Sequence, residues 1–261
     1  MVNLLELSDE EVKAKLRNGE VKVAVFGLGH VGLPLACAWL EAGAYVIGVT
    51  KTERKASLIN KGINPIKDEP TLTSMVKKYV REGKFKATTN GVEAAKKADV
   101  IIIATPTGVK WHEPGKPLDL STLREVLVTI GKGLSKGNLV IIEPTVPPGT
   151  TLNIAKPILE RMSGLRVEED FGLVYSPERV MTGHAFQDIV EKYPKIIGGV
   201  GPKSSKVAKA LYEVVARKGV IVLSSPTVAE FEKVAEGIYR CLLYTSDAAD
   251  EGVGVDLGGR R

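Results

Sequence analysis

The segment Gly27-Leu28-Gly29-His30-Val31-Gly32 lies between the apolar run "VKVAVF" and the helical run "LPLACAWLEAG". That spacing implies a chemistry. The first glycine allows a tight turn, the second lets backbone approach a pyrophosphate, and the third lets a helix pack closely on its strand. The helix that follows presents unpaired N–H groups, beginning around His30 and Val31, to the phosphates. A dinucleotide is therefore expected on this loop. A carboxylate that grips the adenosine ribose 2′-hydroxyl is expected about 20 residues further on. The sequence there reads "GVTKTERK", with Thr50 in the carboxylate's place and Lys51 and Arg54 just after it. Two cations without the acid suit a 2′-phosphate, and they equally suit the solvated start of a helix. NAD and NADP both stay open here.

Other reactive residue types are sparse. A thiolate nucleophile could come from Cys37 or Cys241. Cys37 falls inside the helix after the glycine loop, where a small buried residue is expected. Cys241 falls where the amphipathic period of "PTVAEFEKVAEGIYR" gives out. On that period Val228, Phe231, Ala235, Ile238 and Tyr239 form an apolar stripe, and Lys233 lies nearly opposite, on what periodicity alone makes a solvent face. Read in the same way, Thr145 ends a strand before two prolines, and Glu178 with Arg179 forms a solvated pair. His30, His112 and His184 stand in unrelated contexts without metal-ligand spacing, so no metal site is expected.

The elements that must position these residues follow from periodicity. Strands are expected over 21–27, 44–50, 99–106, 138–145, 171–176, 195–199 and 219–225, with helices over 31–42, 53–61, 71–82, 121–134, 148–162 and 203–217. Several strands are apolar throughout, as strands covered on both faces are. The alternation predicts an α/β fold, a Rossmann-like, doubly wound, mostly parallel sheet. Ahead of it, "SDEE" sets Ser8 three residues before Glu11, a capping box that opens an N-terminal helix. The expected domains are a dinucleotide-binding domain over 1–226 and the truncated start of a central helix over 227–240.

Composition narrows the class. Hydrophobic residues at 44% and charged residues at 26% fit a globular chain that buries a core. The pair of cysteines excludes a disulfide framework and suits a cytoplasmic protein. No apolar run approaches the ~20 residues of a membrane span, and the acidic N-terminus lacks a signal-peptide core. The net charge of +5 is dispersed in mixed clusters such as "KDEP", which read as solvated faces rather than a nucleic-acid stripe.

The later strand ends carry more specific motifs. "ATPTG" (104–108), "PLDLS" (117–121), "EPTVPPGTT" (143–151), "YSPERVMTGHAFQD" (175–188) and "KIIGG" (195–199) occur in that order, before "SSPTVAEFEKVAEGIYR" (224–240). This set resembles the UDP-glucose / UDP-N-acetylmannosamine dehydrogenase family of nucleotide-sugar 6-dehydrogenases. Within it, "SPER" is more similar to the branch acting on UDP-N-acetylhexosamines than to the UDP-glucose branch, where "PEFL" is common. The resemblance implies a C6 alcohol oxidised twice to a carboxylate with NAD, through a cysteine-bound thiohemiacetal and thioester. It implies that Thr145 orients the hydrolytic water, that Glu178 is the base on that water, and that Lys233 stabilises the oxyanion. Thr105 and Pro106 would flank the nicotinamide. Gly237 stands where the family usually has asparagine. The resemblance further implies a UDP-sugar substrate and a parent protein that is a homodimer or larger, with no nucleic-acid or membrane partner.

The last residues read differently. Turned back into codons, "CLLYTSDAADE" and "GVDLGGRR" match the transposon-end adapter of a sequencing library, so residues 241–261 are expected to be translated adapter. They hold four carboxylates against two arginines, a net of −2, which leaves +7 on residues 1–240. Cys241 is then not the nucleophile, and the chain alone is expected to be inactive. Two rival readings remain: a non-catalytic dinucleotide-binding module and a 3-hydroxyacid dehydrogenase.

Overall fold

Continuous apolar runs become strands buried on both faces. In the computed structural model, which describes residues 2–109 and 118–252 and the side chains only as far as 243, the elements are as follows. Helix α1 (Asp9–Arg17) leads to β1 (Lys22–Phe26), α2 (Gly32–Glu41), β2 (Tyr45–Val49), α3 (Glu53–Asn60), α4 (Thr71–Arg81) and β3 (Phe85–Thr88). Then come α5 (Gly91–Lys97), β4 (Val100–Ile103), a two-stranded ribbon of β5 (Gly108–Val109) and β6 (Leu118–Asp119), α6 (Ser121–Gly131), β7 (Leu139–Ile142) and α7 (Lys156–Ser163). The chain continues through β8 (Gly172–Tyr175), α8 (Ala185–Gln187), β9 (Lys195–Gly199), α9 (Pro202–Val215), β10 (Val220–Val222) and α10 (Pro226–Gly252). His112, Pro117 and the "GVDLGGRR" segment lie outside the described residues.

Alternate side chains of each central strand enter opposite layers of core. Val23 and Val25 of β1, Val100 and Ile102 of β4, and Leu139 and Ile141 of β7 pack on one side. Ala24 and Phe26, Ile101 and Ile103, and Val140 and Ile142 pack on the other. The sheet order is β10-β9-β8-β7-β4-β1-β2-β3. From β3 to β8 every pairing is parallel, and the strands wind outward from β1 in both directions. That is the doubly wound arrangement in which ligands bind where the strand order reverses.

Register turns this topology into a site. Phe26 pairs with Val49 and Ile103, Ile103 with Ile142, and Ile142 with Tyr175, so five strands end on one row. The residues just past that row, Gly27, Thr50, Ala104, Glu143 and Ser176, therefore share one rim. Strand β9 runs antiparallel to β8 and starts at the same rim with Lys195.

Several expectations change. Strand β3 is a short edge strand whose exposed Lys86 interrupts the apolar pattern, and α5 starts on the Asn90 side-chain cap inside a polar stretch. Neither shows as a hydrophobic period. The helix expected over 148–162 begins as a wide π-helical turn, Thr151–Ala155, because Pro157 has no N–H to donate one turn back. The capping box is present, with Ser8 N–H donating to Glu11 and Glu11 N–H to Ser8 Oγ. Helix α10 does not stop at Arg240. It runs through Cys241 to Gly252, over residues that include no proline to break the run.

Candidate active site

The glycine loop divides its labour unequally. Gly27 has φ +96°, in the left-handed region, and a Cβ there would sit 2.8 Å from the Ala104 carbonyl oxygen. A Cβ on Gly32 would lie 1.7 Å from the Gly27 carbonyl oxygen, so the start of α2 touches the loop itself. Gly29 is different: a Cβ there would meet nothing within 4 Å. It faces open groove. Helix α2 begins without a side-chain cap at Val31. Leu33 N–H donates to the Gly29 carbonyl at 3.0 Å and Pro34 has no N–H, so in its first turn it is the Gly32 N–H that stays available to a bound anion.

The groove has two lobes. One, of about 560 Å³, is walled by Gly27, Gly29, Thr50, Lys51, Lys55 and Thr105, with Glu125 and Thr129 of α6 opposite. The other, of about 480 Å³, is walled by Gly29, His30, Val31, Thr105, Thr145 and Glu178. Gly29, Thr105 and Pro106 belong to both. The Thr105 hydroxyl is buried without a hydrogen-bond partner, a donor and acceptor that a bound group would satisfy. The orphan hydroxyl, the open face of Gly29 and the uncapped helix start together fit a nicotinamide dinucleotide. Of the residues expected to hold it, Arg54 is exposed and off both walls, while Lys55 takes its place on the first. Lys55 lies in the first turn of α3, behind the Thr52 cap, where side chains lean back toward the helix start. His30 is exposed, with its Nε2 3.5 Å from an Asp68 carboxylate oxygen.

At the far lobe the expected catalytic residues converge. Lys233 reaches in from α10, its Nζ 3.1 Å from Glu178 Oε1 and donating to the Glu178 carbonyl at 2.6 Å. Glu178 Oε2 accepts the Val180 N–H at 3.1 Å. Thr145 is exposed on the same wall, its carbonyl accepting from the Thr107 hydroxyl at 2.7 Å. The solvent face expected for Lys233 is thus corrected: α10 turns its polar stripe inward and leaves Phe231, Ile238 and Tyr239 exposed. The reason is that its partners are loops with unpaired polar groups. Fully buried Glu230 accepts the Gly149 and Thr151 N–H groups at 2.6 and 2.7 Å, and Glu236 takes two bonds from Arg179 at 3.0 and 2.9 Å. Burial pushes the Glu230 carboxyl up, and the bonds from residues 149–151 only partly offset this.

Beneath Glu178 lies a group that the sequence reading missed. Lys195 donates to both Glu143 oxygens at 2.8 and 2.6 Å and to the Pro177 carbonyl at 3.2 Å, and Tyr212 donates to Glu143 at 2.6 Å. All three side chains are buried. They fix the peptide that precedes Glu178, which itself donates to the Glu143 carbonyl at 3.4 Å. A charged residue inside each of the strand motifs "EPT" and "KIIGG" was the available signal. Cys37 is fully buried, and that burial pushes its thiol up to about 12. Cys241 is exposed. It stands eight residues past Lys233, about 12 Å along the helix.

Residues 21–216 match the NAD binding domain of the UDP-glucose/GDP-mannose dehydrogenase family. The chain belongs to that family. It is similar to the UDP-N-acetyl-D-mannosamine dehydrogenase of Pyrococcus horikoshii, with 38% identity over 84% of this chain and 50% of that protein. Among solved structures it is similar to the NDP-N-acetyl-D-galactosaminuronic acid dehydrogenase of Methanosarcina mazei, at TM-score 0.78 and 36% identity, over 90% of this chain and 50% of the other. The GDP-mannose dehydrogenase of Pseudomonas aeruginosa superposes at TM-score 0.81 and 28% identity, over 90% and 54%. The resemblance read in the strand-end motifs and the Rossmann-like fold are both borne out. The chain spans about half the length of the curated dehydrogenase-family relatives it matches. Among the described residues no helix is long and apolar enough to cross a membrane, and no cluster of side chains could hold a metal ion.

Proposed function

We propose that this chain is the dinucleotide-binding half of a UDP-sugar 6-dehydrogenase that oxidises C6 of a UDP-hexose, UDP-N-acetylmannosamine foremost, twice to the uronate. The observation that carries this reading is the contact of Lys233 with Glu178, which lines the lobe beyond the glycine loop. The loop, the start of α2 and Thr105 would hold the cofactor. A bound nicotinamide dinucleotide supplies the hydride acceptor.

The chain's own residues would do the rest. Glu178 is an acceptor at the rim, suited to take a proton from the hydrolytic water, and Thr145 on the same wall would orient that water. An ammonium has three donors. Lys233 uses two on Glu178, leaving one for a developing oxyanion. Neither thiol suits the nucleophile, since Cys37 is buried and Cys241 lies beyond hydrogen-bond reach of this cluster. On this reading the thiol comes from the half of the relatives that this chain does not span.

The test is a hybrid that joins residues 1–240 to the second half of the P. horikoshii relative. The expected result is formation of two reduced dinucleotides per UDP-N-acetylmannosamine, lost on Glu178→Gln and on Lys233→Met. A folded hybrid that binds dinucleotide and oxidises no UDP-hexose would instead favour a non-catalytic binding module.

A further inference from the structure

We propose that the adenosine end of the groove takes a 2′-phosphate, so that the chain holds NADP(H) in preference to NAD(H). This rests on the dinucleotide reading of the groove and goes beyond it. In a doubly wound sheet the ribose lies over the end of the second strand, where a carboxylate accepts from the 2′-hydroxyl and repels a phosphate. Strand β2 ends at Val49, and the next residue, on the groove wall, is Thr50. A hydroxyl there can donate to a phosphate oxygen and carries no charge to oppose it.

The charges around that position have the matching sign. Lys51 and Lys55 both line the lobe, one beside Thr50 and one a turn into α3. Lys55 is held only by a long contact, 3.5 Å, to the Leu28 carbonyl. Among the described residues neither lysine has a carboxylate partner. The acid nearest in sequence, Glu53, accepts from the Thr89 hydroxyl and is not part of the wall. The one carboxylate on the described wall is Glu125, which stands on α6 beside Val126 and Thr129 rather than on the β2 side. An ammonium pair against a dianionic phosphate gives charge-assisted hydrogen bonds, stronger than those a 2′-hydroxyl can form.

The experiment is a fluorescence titration of the 261-residue chain with NADPH and with NADH at matched ionic strength. The expected Kd for NADPH is lower by about tenfold, the size of one charge-assisted hydrogen bond, and the gap narrows as salt rises. Thr50→Asp is expected to reverse the order, weakening NADPH and tightening NADH. Lys51→Ala, at an exposed position, is expected to shrink the preference and serves if the aspartate variant does not fold. Equal or tighter binding of NADH by the unaltered chain overturns the 2′-phosphate site and leaves the dinucleotide groove standing. Binding of neither overturns both.

Discussion

At the scale of single residues, Gly29 and Gly32 are glycines for opposite reasons, and substitution separates them. Alanine at Gly32 would drive its Cβ into the Gly27 carbonyl, a backbone atom that cannot swing aside. Overpacking of this kind costs about 1–3 kcal/mol. In a chain of this length each kcal/mol lowers the melting temperature by about 2–4 °C. Gly32→Ala is expected to show that loss by calorimetry. Gly29→Ala is expected to melt like the unaltered chain and to fail in dinucleotide titration, because its methyl enters only the groove. If both variants lose stability, or both keep their affinity, the division of roles is wrong. The spacing of the loop was legible in the sequence; the division was not, since it depends on how closely α2 approaches the rim. Arg54 and Lys55 make the same point. A run of cations marks the place, and only the phase of α3 decides which one meets the groove.

At the scale of elements, α10 holds the candidate catalytic cluster together. Glu230, Lys233 and Glu236 recur every three residues. Glu230 fastens the turn at Gly149 and Thr151, and Lys233 and Glu236 fasten the adjacent residues Glu178 and Arg179 of a second loop. The helical period of this segment was correct in the sequence, but its facing was not. Amphipathicity tells which side chains share a face. It cannot tell that the loops beneath offer unpaired N–H groups and a guanidinium, to which a polar stripe is complementary. For Glu236, burial raises the carboxyl, but the Arg179 bonds and charge outweigh it, and the group ends below its ordinary 4.5. A carboxyl lowered by folding contributes stability that is present above the unfolded value and lost as pH falls through the folded one. Glu236→Gln is therefore expected to cost about 1–2 kcal/mol at neutral pH, allowing for partial exposure. The difference from the unaltered chain should close below pH 4.5 in urea unfolding followed over a pH series. Glu230 has the opposite sign, since burial raises it, so its contribution fades as pH rises past 4.5. A Glu236→Gln penalty that stays constant to the acid limit would remove the Arg179 pair from this account.

At the scale of the whole molecule, the βαβ rhythm was enough to predict a doubly wound sheet, because continuous apolar runs need cover on both faces. The reversal at β9 was not legible, since "KIIGG" is apolar in either direction. Its direction brings Lys195 to the rim, where it meets Glu143. The inward turn of α10's polar stripe has a counterpart outside. Phe231, Ile238, Tyr239 and Leu242 are left exposed along one helix, and Ile221 and Val222 are exposed on β10, the outermost strand. Apolar residues scattered singly on a surface need no explanation, but a contiguous stripe marks a surface that is covered in some assembly. A chain that spans half of its relatives has such a surface with no covering element among the described residues. Self-association that grows with concentration is therefore expected in light scattering. The double variant Phe231→Glu, Ile238→Glu should suppress it while leaving dinucleotide affinity unchanged, because neither residue lies on the groove wall. A chain that stays monomeric at all concentrations would mean that the stripe is tolerated as ordinary surface. Loss of affinity in the double variant would mean instead that the outer face of α10 is coupled to the groove through Lys233 and Glu178.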